Sequence, residues 1–265
     1  MYSPFQVAIK YLKYYFEASN GKGHGIHSPF VFEFVTKVIN DKRHFYAYDH
    51  IEDLRRDLLL DKKMLTIRDF GAGSNVSKRN ERKVKDIARS ALKPKKFGQL
   101  MFRMVDFYHL NTIVELGTSL GITTSYLASG NALGKVYTFE GAMEVAKIAK
   151  ENFRQLELDN IKLIEGNFDE TLPVQLINIE TIDLVFVDGN HRRQPTIHYF
   201  EQLLEKSGKH SIFIFDDIHW SREMEEAWKY IQEHSAVTLT IDLFFIGIVF
   251  FREEQKVQQH FSIRF

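Results

Sequence analysis

At five points in this chain a short apolar run ends on, or just before, a side chain able to do chemistry. Glu115 follows Ile113-Val114, Glu140 follows Val136-Tyr137-Thr138-Phe139, and Asn167 comes soon after Ile161-Lys162-Leu163-Ile164. Asp188 follows Leu184-Val185-Phe186-Val187, and the pair Asp216-Asp217 follows Ile212-Phe213-Ile214-Phe215. Short apolar runs bounded by turn residues read as buried strands, so these groups sit at strand ends, where open α/β sheets bind ligands. Beyond Glu115, the residues Gly117, Thr118, Ser119 and Gly121 form a loop before a helix that begins at Ile122. Such a loop gathers backbone N–H groups and the positive end of a helix dipole, the geometry of a nucleotide-type site. Asp188, Asp216 and Asp217 offer three carboxylates for an oxygen-rich Mg²⁺ site. A divalent ion there would lower the pKa of a bound hydroxyl, and His191, with its near-neutral pKa, suits a general base. Plainer roles exist for each: Asp188 before Gly189 could shape a turn, Asp216 or Asp217 could cap the helix beginning near Ser221, and His191 could be an exposed loop residue.

The elements that must position these groups alternate. Strand candidates are 112–116, 135–139, 161–164, 182–187 and 211–215, with helix-length segments at 121–130, 141–156, 169–178 and 192–206 between them. This pattern calls for a parallel sheet with helices on both faces. After a helix at 221–233, strands 236–241 and 244–251 are separated only by Asp242 and Leu243, too short a link for anything but an antiparallel hairpin. The expected fold is α/β, Rossmann-like and doubly wound: a mostly parallel seven-stranded sheet with a terminal antiparallel hairpin. Residues 1–97 read as a mostly helical extension covering the substrate side, with helices near 5–17, 28–39 and 50–60, ahead of a ligand-binding domain at 98–265.

Composition narrows the function. The chain has 265 residues, no Cys and a formal net charge of zero. Disulfides, cysteine-ligated metals and thiol nucleophiles are excluded, and a globally basic nucleic-acid binder is disfavoured. No basic leader followed by an apolar stretch opens the sequence, and the most apolar segment, 236–251, is interrupted by Asp242. A soluble cytoplasmic protein is expected. Charge is uneven, however: Lys78–Lys96 carries about +7, which suits either a solvated helix face or a surface for an anionic substrate. A second glycine loop, Asp69–Ser74, precedes a strongly polar stretch and so reads as a tight turn or a loop closing over substrate, not as the cofactor loop.

The order Glu115-x-Gly117-x-Ser119-x-Gly121 departs from the dinucleotide fingerprint in its final spacing, and it places Ser where a pyrophosphate would approach most closely. A carboxylate before the loop also repels phosphate and suits a ligand with a cationic end, such as S-adenosylmethionine. Glu140 is acceptor-only and placed to receive ribose hydroxyls. At these residues the chain resembles the class I S-adenosylmethionine-dependent methyltransferases over roughly 98–251. The likeness rests on Val-Glu115-Leu-Gly-Thr-Ser-Leu-Gly121, Tyr-Thr-Phe-Glu140, Glu-Gly-Asn167-Phe168 and Val-Phe-Val-Asp188-Gly-Asn-His191. It implies that Glu115, Gly117, Thr118, Ser119 and Gly121 line the methionine portion, that Glu140 holds the ribose, that Asn167 and Phe168 border the adenine, and that Asp188 also adjoins the cofactor. Many relatives have Asp where Asn167 stands.

Without Cys there is no thiolate adduct for pyrimidine C5 methylation, and without a Pro-Pro pair the amino-methylating motif on bases is absent. Asp188-Gly-Asn-His191 followed by Asp216-Asp217 is similar to the metal-dependent small-molecule O-methyltransferases. That likeness implies metal ligation by Asp188, Asp216 and Asp217 and a general-base role for His191. His219, His24 and His27 are further histidines whose spacing demands no role. The expected partner is a small-molecule acceptor, with no membrane; nucleic acid is disfavoured but stays open, as does pairing with a second copy of the chain. Two alternatives stay open: an RNA methyltransferase using the basic 78–96 segment, and a non-catalytic S-adenosylmethionine-binding module.

Overall fold

The computed structural model describes residues 1–23, 25–67 and 81–265. The Asp69–Ser74 loop, His24, and Lys78 and Arg79 of the basic segment lie outside the described residues. In chain order the elements are α1 (Pro4–Glu17), α2 (Pro29–Phe34, continued by a π-helical turn at Val35–Ile39), α3 (Tyr46–Leu60), β1 (Met64–Thr66), β2 (Glu81–Lys83), α4 (Val84–Ala91) and α5 (Lys95–Tyr108). There follow β3 (Thr112–Leu116), α6 (Ile122–Gly130), β4 (Lys135–Glu140), α7 (Met143–Gln155), β5 (Ile161–Glu165), α8 (Phe168–Leu176), β6 (Ile182–Val187) and α9 (Arg193–Leu204). The chain ends with β7 (Ser207–Asp216), α10 (Arg222–Glu233), β8 (Leu239–Asp242), β9 (Ile246–Phe250) and β10 (Gln259–Ser262). Among the described residues, eight strands belong to a mostly parallel central sheet, and β1 and β2 form a separate antiparallel pair.

Two compact units result, Lys42–Asn178 and Met1–Asp41 with Ile179–Phe265. In the first, β3, β4 and β5 are parallel neighbours, with Glu115 opposite Thr138 and Glu140 opposite Glu165. Its helices bury the apolar stripe that the 3.6-residue period sets out. Ile51, Leu54 and Leu58 of α3, Ile87 of α4, Phe102 of α5 and Tyr126 of α6 belong to one cluster. Each such buried side chain stabilises the unit by about 1.5–3 kcal/mol. Gly98 lets α5 approach α6, since a Cβ there would lie 2.4 Å from Cδ2 of Tyr126. The Tyr126 hydroxyl donates to Glu52 Oε1 at 2.8 Å. Burial first, then that bond, pushes its pKa far above the usual phenol value.

In the second unit β6 and β7 are parallel, while β7 and β8 each pair antiparallel with β9. The expected hairpin is therefore present, at 239–242 and 246–250. The expected seven strands become eight because β10 pairs parallel with β8, Gln259 opposite Leu239 and Ser262 opposite Asp242. Gln-His-Phe-Ser carries no apolar run, and its residues alternate between half-buried and exposed, so nothing in the pattern marked it as a strand. The N-terminal region is likewise less purely helical than expected. Met64, Leu65 and Thr66 pair with Lys83, Arg82 and Glu81, and so polar a partner strand escapes a search for apolar periods. Helix α1 starts where its sequence dictates: Ser3 accepts from Gln6 N–H, the Gln6 side chain accepts from Ser3 N–H, and Pro4 stands at the first helical position.

Candidate functional site

The glycine loop lies in the unit Lys42–Asn178. Glu115 is fully buried in β3, and an ionised carboxylate there must be hydrogen-bonded. Its Oε2 accepts from Thr124 Oγ1 at 2.5 Å and from Thr138 Oγ1 at 2.6 Å. Thr138 Oγ1 also lies 2.6 Å from Thr118 Oγ1. A hydroxyl has one proton to give. With that of Thr138 given to Glu115, Thr118 donates to Thr138. The sequence named Thr118 only as a loop residue and gave no sign of Thr124 or Thr138; together the three join the loop, the strand next to it and the helix after it through one carboxylate.

Above this network the backbone turns sharply. Gly117 has φ 105°, Ser119 φ 47° and Gly121 φ 81°. The N–H groups of Gly117 and Thr118 both donate to Phe139 O at 3.0 Å. Glu140, at the end of β4, accepts Ser119 N–H on Oε2 and Ala142 N–H on Oε1, each at 2.8 Å. A carboxylate has about four acceptor positions, so these two bonds are compatible with receiving a ribose diol as well. Gly121 needs its glycine twice over: its φ is left-handed, and a Cβ would fall 2.5 Å from Phe153 Cε1. Gly166, with φ 131°, donates its N–H to Glu140 O at 3.0 Å, which brings the next loop beside the end of β4. There Asn167 is the N-cap of α8, its side chain accepting from Asp169 N–H at 3.2 Å, and half-buried Phe168 is the first helical residue.

The second group lies in the other unit. Asp188, His191 and Asp216 each offer a ligand atom, all within 4.8 Å of one another. His191 Nε2 stands 3.5 Å from Asp188 Oδ1, and Asp216 is buried. Ligand bonds of about 2.0–2.2 Å put atoms sharing one ion roughly 3 to 4.4 Å apart, slightly inside that 4.8 Å bound, so a divalent cation would draw the three groups a little together. Two carboxylates with an imidazole suit Mn²⁺ or a later transition ion better than an all-oxygen Mg²⁺ site. Asp217, expected from the sequence to join Asp188 and Asp216, is not in this group, and His191 is. Neighbouring residues of a strand point to opposite faces. Asp217, past the end of β7, adopts φ 53° and gives its N–H to Phe245 O at 2.7 Å. His191 reaches the cluster from a loop turned by Asn190, also left-handed at φ 55°.

His219 stands in a different network. Its Nε2 meets Asp242 Oδ2 at 2.8 Å and its Nδ1 meets Glu225 Oε1 at 3.3 Å. Burial pulls its pKa down, but the bonds and charges of Asp242 and Glu225 outweigh burial and hold it above the ordinary value. Glu225 also accepts from Lys10 Nζ at 2.8 Å and from the Tyr2 hydroxyl at 2.7 Å. His27 is exposed. Of the basic segment, α4 buries Val84, Ile87 and Ala88, while Arg82 donates to Ser90 Oγ at 2.9 Å and Arg89 stands 3.8 Å from Asp86.

A glycine loop after the first sheet strand, an acid ending the second and alternating helices define an α/β fold of the methyltransferase class. Residues 114–218 match the family described as a methyltransferase domain. Among solved structures it is similar to the O-methyltransferase from Bacillus cereus in complex with SAH, at 20% identity and TM-score 0.55, covering 83% of this chain and 96% of that one. It is also similar to the SAH-bound methyltransferase PaMTH1 from Podospora anserina, at 14% identity and TM-score 0.58, covering 85% and 97%. A third is the O-methyltransferase TomG from Streptomyces achromogenes, involved in tomaymycin synthesis and in complex with SAM, at 14% identity and TM-score 0.57, covering 79% and 91%. Identities this low speak for the fold. Comparison with curated proteins gives no significant match. Among the described residues, no helix is long and apolar enough to cross a membrane.

Proposed function

We propose that this chain is an S-adenosylmethionine-dependent O-methyltransferase acting on a hydroxyl of a small molecule, with a divalent cation held by Asp188, His191 and Asp216. The observation that carries the cofactor assignment is the pair of bonds at Glu140. One carboxylate fixes the tip of the glycine loop through Ser119 N–H and the start of the next loop through Ala142 N–H. That arrangement presents acceptor oxygen, with no cationic side chain in the loop, and so suits a ribose diol and a cationic ligand while disfavouring a pyrophosphate. Bound S-adenosylmethionine would supply an electrophilic methyl on sulfur, open to in-line attack by a deprotonated hydroxyl. Glu115 places one negative charge beneath the loop, and its three threonines hold that charge in a fixed position. Asn167 orders the start of α8, so that Phe168 presents its ring from a rigid end.

Asp188, His191 and Asp216 would bind the cation and with it an acceptor oxygen, whose proton is then lost near neutral pH. With Nε2 of His191 turned toward Asp188, the imidazole serves as ligand when the ion is present and as base only in its absence. Solved structures of similar fold include O-methyltransferases, which agrees with an oxygen acceptor. Calorimetry with S-adenosylmethionine, followed by methyl transfer to a panel of phenols, catechols and sugar alcohols with and without Mn²⁺ or Mg²⁺, tests the reading. Micromolar cofactor binding and turnover that is abolished by chelator and by Asp216→Asn are expected. Absence of cofactor binding would overturn the whole reading, whereas turnover indifferent to chelator would remove the cation and leave His191 as base.

A further inference from the structure

The chain turns back on itself after Asp188, and this brings His191 beside it. Asn190 takes φ 55°, a left-handed state that Asn tolerates better than most residues. His191 is then the middle of a three-residue turn, closed by Arg192 N–H donating to Asn190 O. The ring leaves that turn with Nε2 3.5 Å from Asp188 Oδ1 and with a nitrogen within 4.8 Å of a carboxylate oxygen of Asp216. The turn is anchored on both sides of His191. Before it, Asn190 Nδ2 donates to the Tyr199 hydroxyl at 3.3 Å. After it, Arg193 N–H donates to Glu223 Oε2 at 3.1 Å, and Arg193 Nε stands 3.7 Å from Glu226 Oε2. The two anchors differ in stiffness. The side chains of Arg193 and Glu226 are 40% and 45% exposed, and an ion pair so open to water contributes little. Tyr199, in the second turn of α9, is 1% exposed. One turn earlier on the same face, buried Thr196 gives its hydroxyl proton to Met224 Sδ of α10 at 3.5 Å. With Phe200 and Leu203 buried as well, α9 is seated firmly, and the Tyr199 hydroxyl is a fixed point.

We infer, on the reading that Asp188, His191 and Asp216 hold a divalent cation, that Tyr199 is a positioning residue for that group. Its hydroxyl holds Asn190 in the left-handed turn, and the turn aims the His191 ring at Asp188 and Asp216. A ligand free to swing must lose that freedom when the ion arrives, which weakens binding. Residues that orient metal ligands from behind are accordingly worth about 10- to 100-fold in metal affinity. The plainer account is that Asn190 keeps the turn unaided, since Asn visits left-handed backbone on its own. The two accounts part at the Tyr199 hydroxyl, which matters in the first and is idle in the second.

The test is Mn²⁺ binding to the full chain, read from the electron paramagnetic resonance of the free ion and so independent of turnover. Wild type should bind Mn²⁺, and Asp216→Asn should abolish binding. Tyr199→Phe should weaken it at least about 10-fold, with unchanged circular dichroism. Tyr230→Phe, which removes a hydroxyl bonded to Glu201, should leave it unchanged. Asn190→Gly keeps the left-handed backbone and removes the amide. It should weaken binding as much as Tyr199→Phe does, and the two changes together should weaken it no more than either alone. Because Tyr199 acts through His191, Tyr199→Phe should have no further effect on affinity in a His191→Ala background. A wild type that binds no Mn²⁺, or binds it regardless of Asp216, overturns the cation reading itself. Asp216-dependent binding that Tyr199→Phe leaves at wild-type strength overturns the role of Tyr199 alone. So does wild-type affinity in Asn190→Gly, or a full effect of Tyr199→Phe once His191 is Ala.

Discussion

Replacing Glu140 by Gln keeps shape and removes charge, and the structure allows its effect to be worked out in two parts. Without ligand, Glu140 accepts two backbone N–H groups, one on each oxygen. A glutamine offers one oxygen and one NH₂, so either Ser119 or Ala142 N–H is left facing a donor. That costs about 1–3 kcal/mol in a part-buried setting. With ligand, a hydroxyl bonded to a charged acceptor contributes about 1.5–3 kcal/mol, so S-adenosylmethionine binding should weaken by about 10- to 150-fold through the ribose alone. Calorimetry on wild type and variant, with the cofactor and with an analogue lacking the ribose hydroxyls, separates the two parts. The variant should lose most of its preference for the hydroxylated ligand over the analogue. Binding of S-adenosylmethionine within twofold of wild type would refute the reasoning. Equal weakening of cofactor and analogue would show Glu140 to be a loop clamp with no part in holding ribose.

Gly121→Ala combines a left-handed backbone penalty of about 1 kcal/mol with overpacking against Phe153, typically about 1–3 kcal/mol; denaturant titration should show a loss of about 2–4 kcal/mol, and a loss below about 0.5 would contradict the packing described. Glu225→Gln tests the network of Lys10, Tyr2 and His219. Burial raises the Glu225 pKa, but the Lys10 and Tyr2 hydrogen bonds outweigh burial and leave it lowered. A group with a depressed folded pKa contributes stability above its unfolded value, about 4.5, and loses it as pH falls through the folded value. The variant should therefore melt below wild type at pH 7, with the gap closing below about pH 4.5; a gap constant with pH would rule out the charge.

Strands β3 and β6 and the end of β7 were legible because their apolar runs are nearly continuous, as burial on both faces demands; β4 and β5, broken by Thr138 and Lys162, were legible from the helices that alternate with them. The hairpin was legible because a two-residue link permits only one pairing. What escaped had polar sequence or depended on side-chain direction. β10 lacks an apolar run, and β2 is Glu-Arg-Lys. Asp216 and Asp217 are indistinguishable as neighbours in sequence, yet only Asp216 ends β7 while Asp217 enters a left-handed turn. Likewise His191 was recognised as able to do chemistry, but spacing could not say that its ring stands by Asp188 and within 4.8 Å of Asp216. For Asn167 the family likeness pointed to the ligand, whereas the plainer property of Asn, capping a helix, is what the chain visibly uses. Thr118 was named for its place in the loop, but its tie to Glu115 through Thr138, and the part of Thr124, carry no signal in sequence, since a hydroxyl reveals its partner only once strands are in register.

The unit that contains α1 is assembled from both ends of the chain, Met1–Asp41 and Ile179–Phe265, with Ser19 bridged to Ile263. During synthesis, therefore, α1 emerges before the residues it packs on and waits. Its partner ring at Phe244 and its acceptor at Ile263 leave the ribosome only after the whole of Lys42–Asn178. The residues from 179 onward take on the order of 10 s to make at usual elongation rates. Lys42–Asn178 can be complete by then, while α1 still shows apolar surface on both sides. Until residues 244–263 are made, the nascent chain thus carries an unhoused, sticky helix α1. Removal of Gln259–Phe265 should be felt at α1, more than two hundred positions earlier in the sequence.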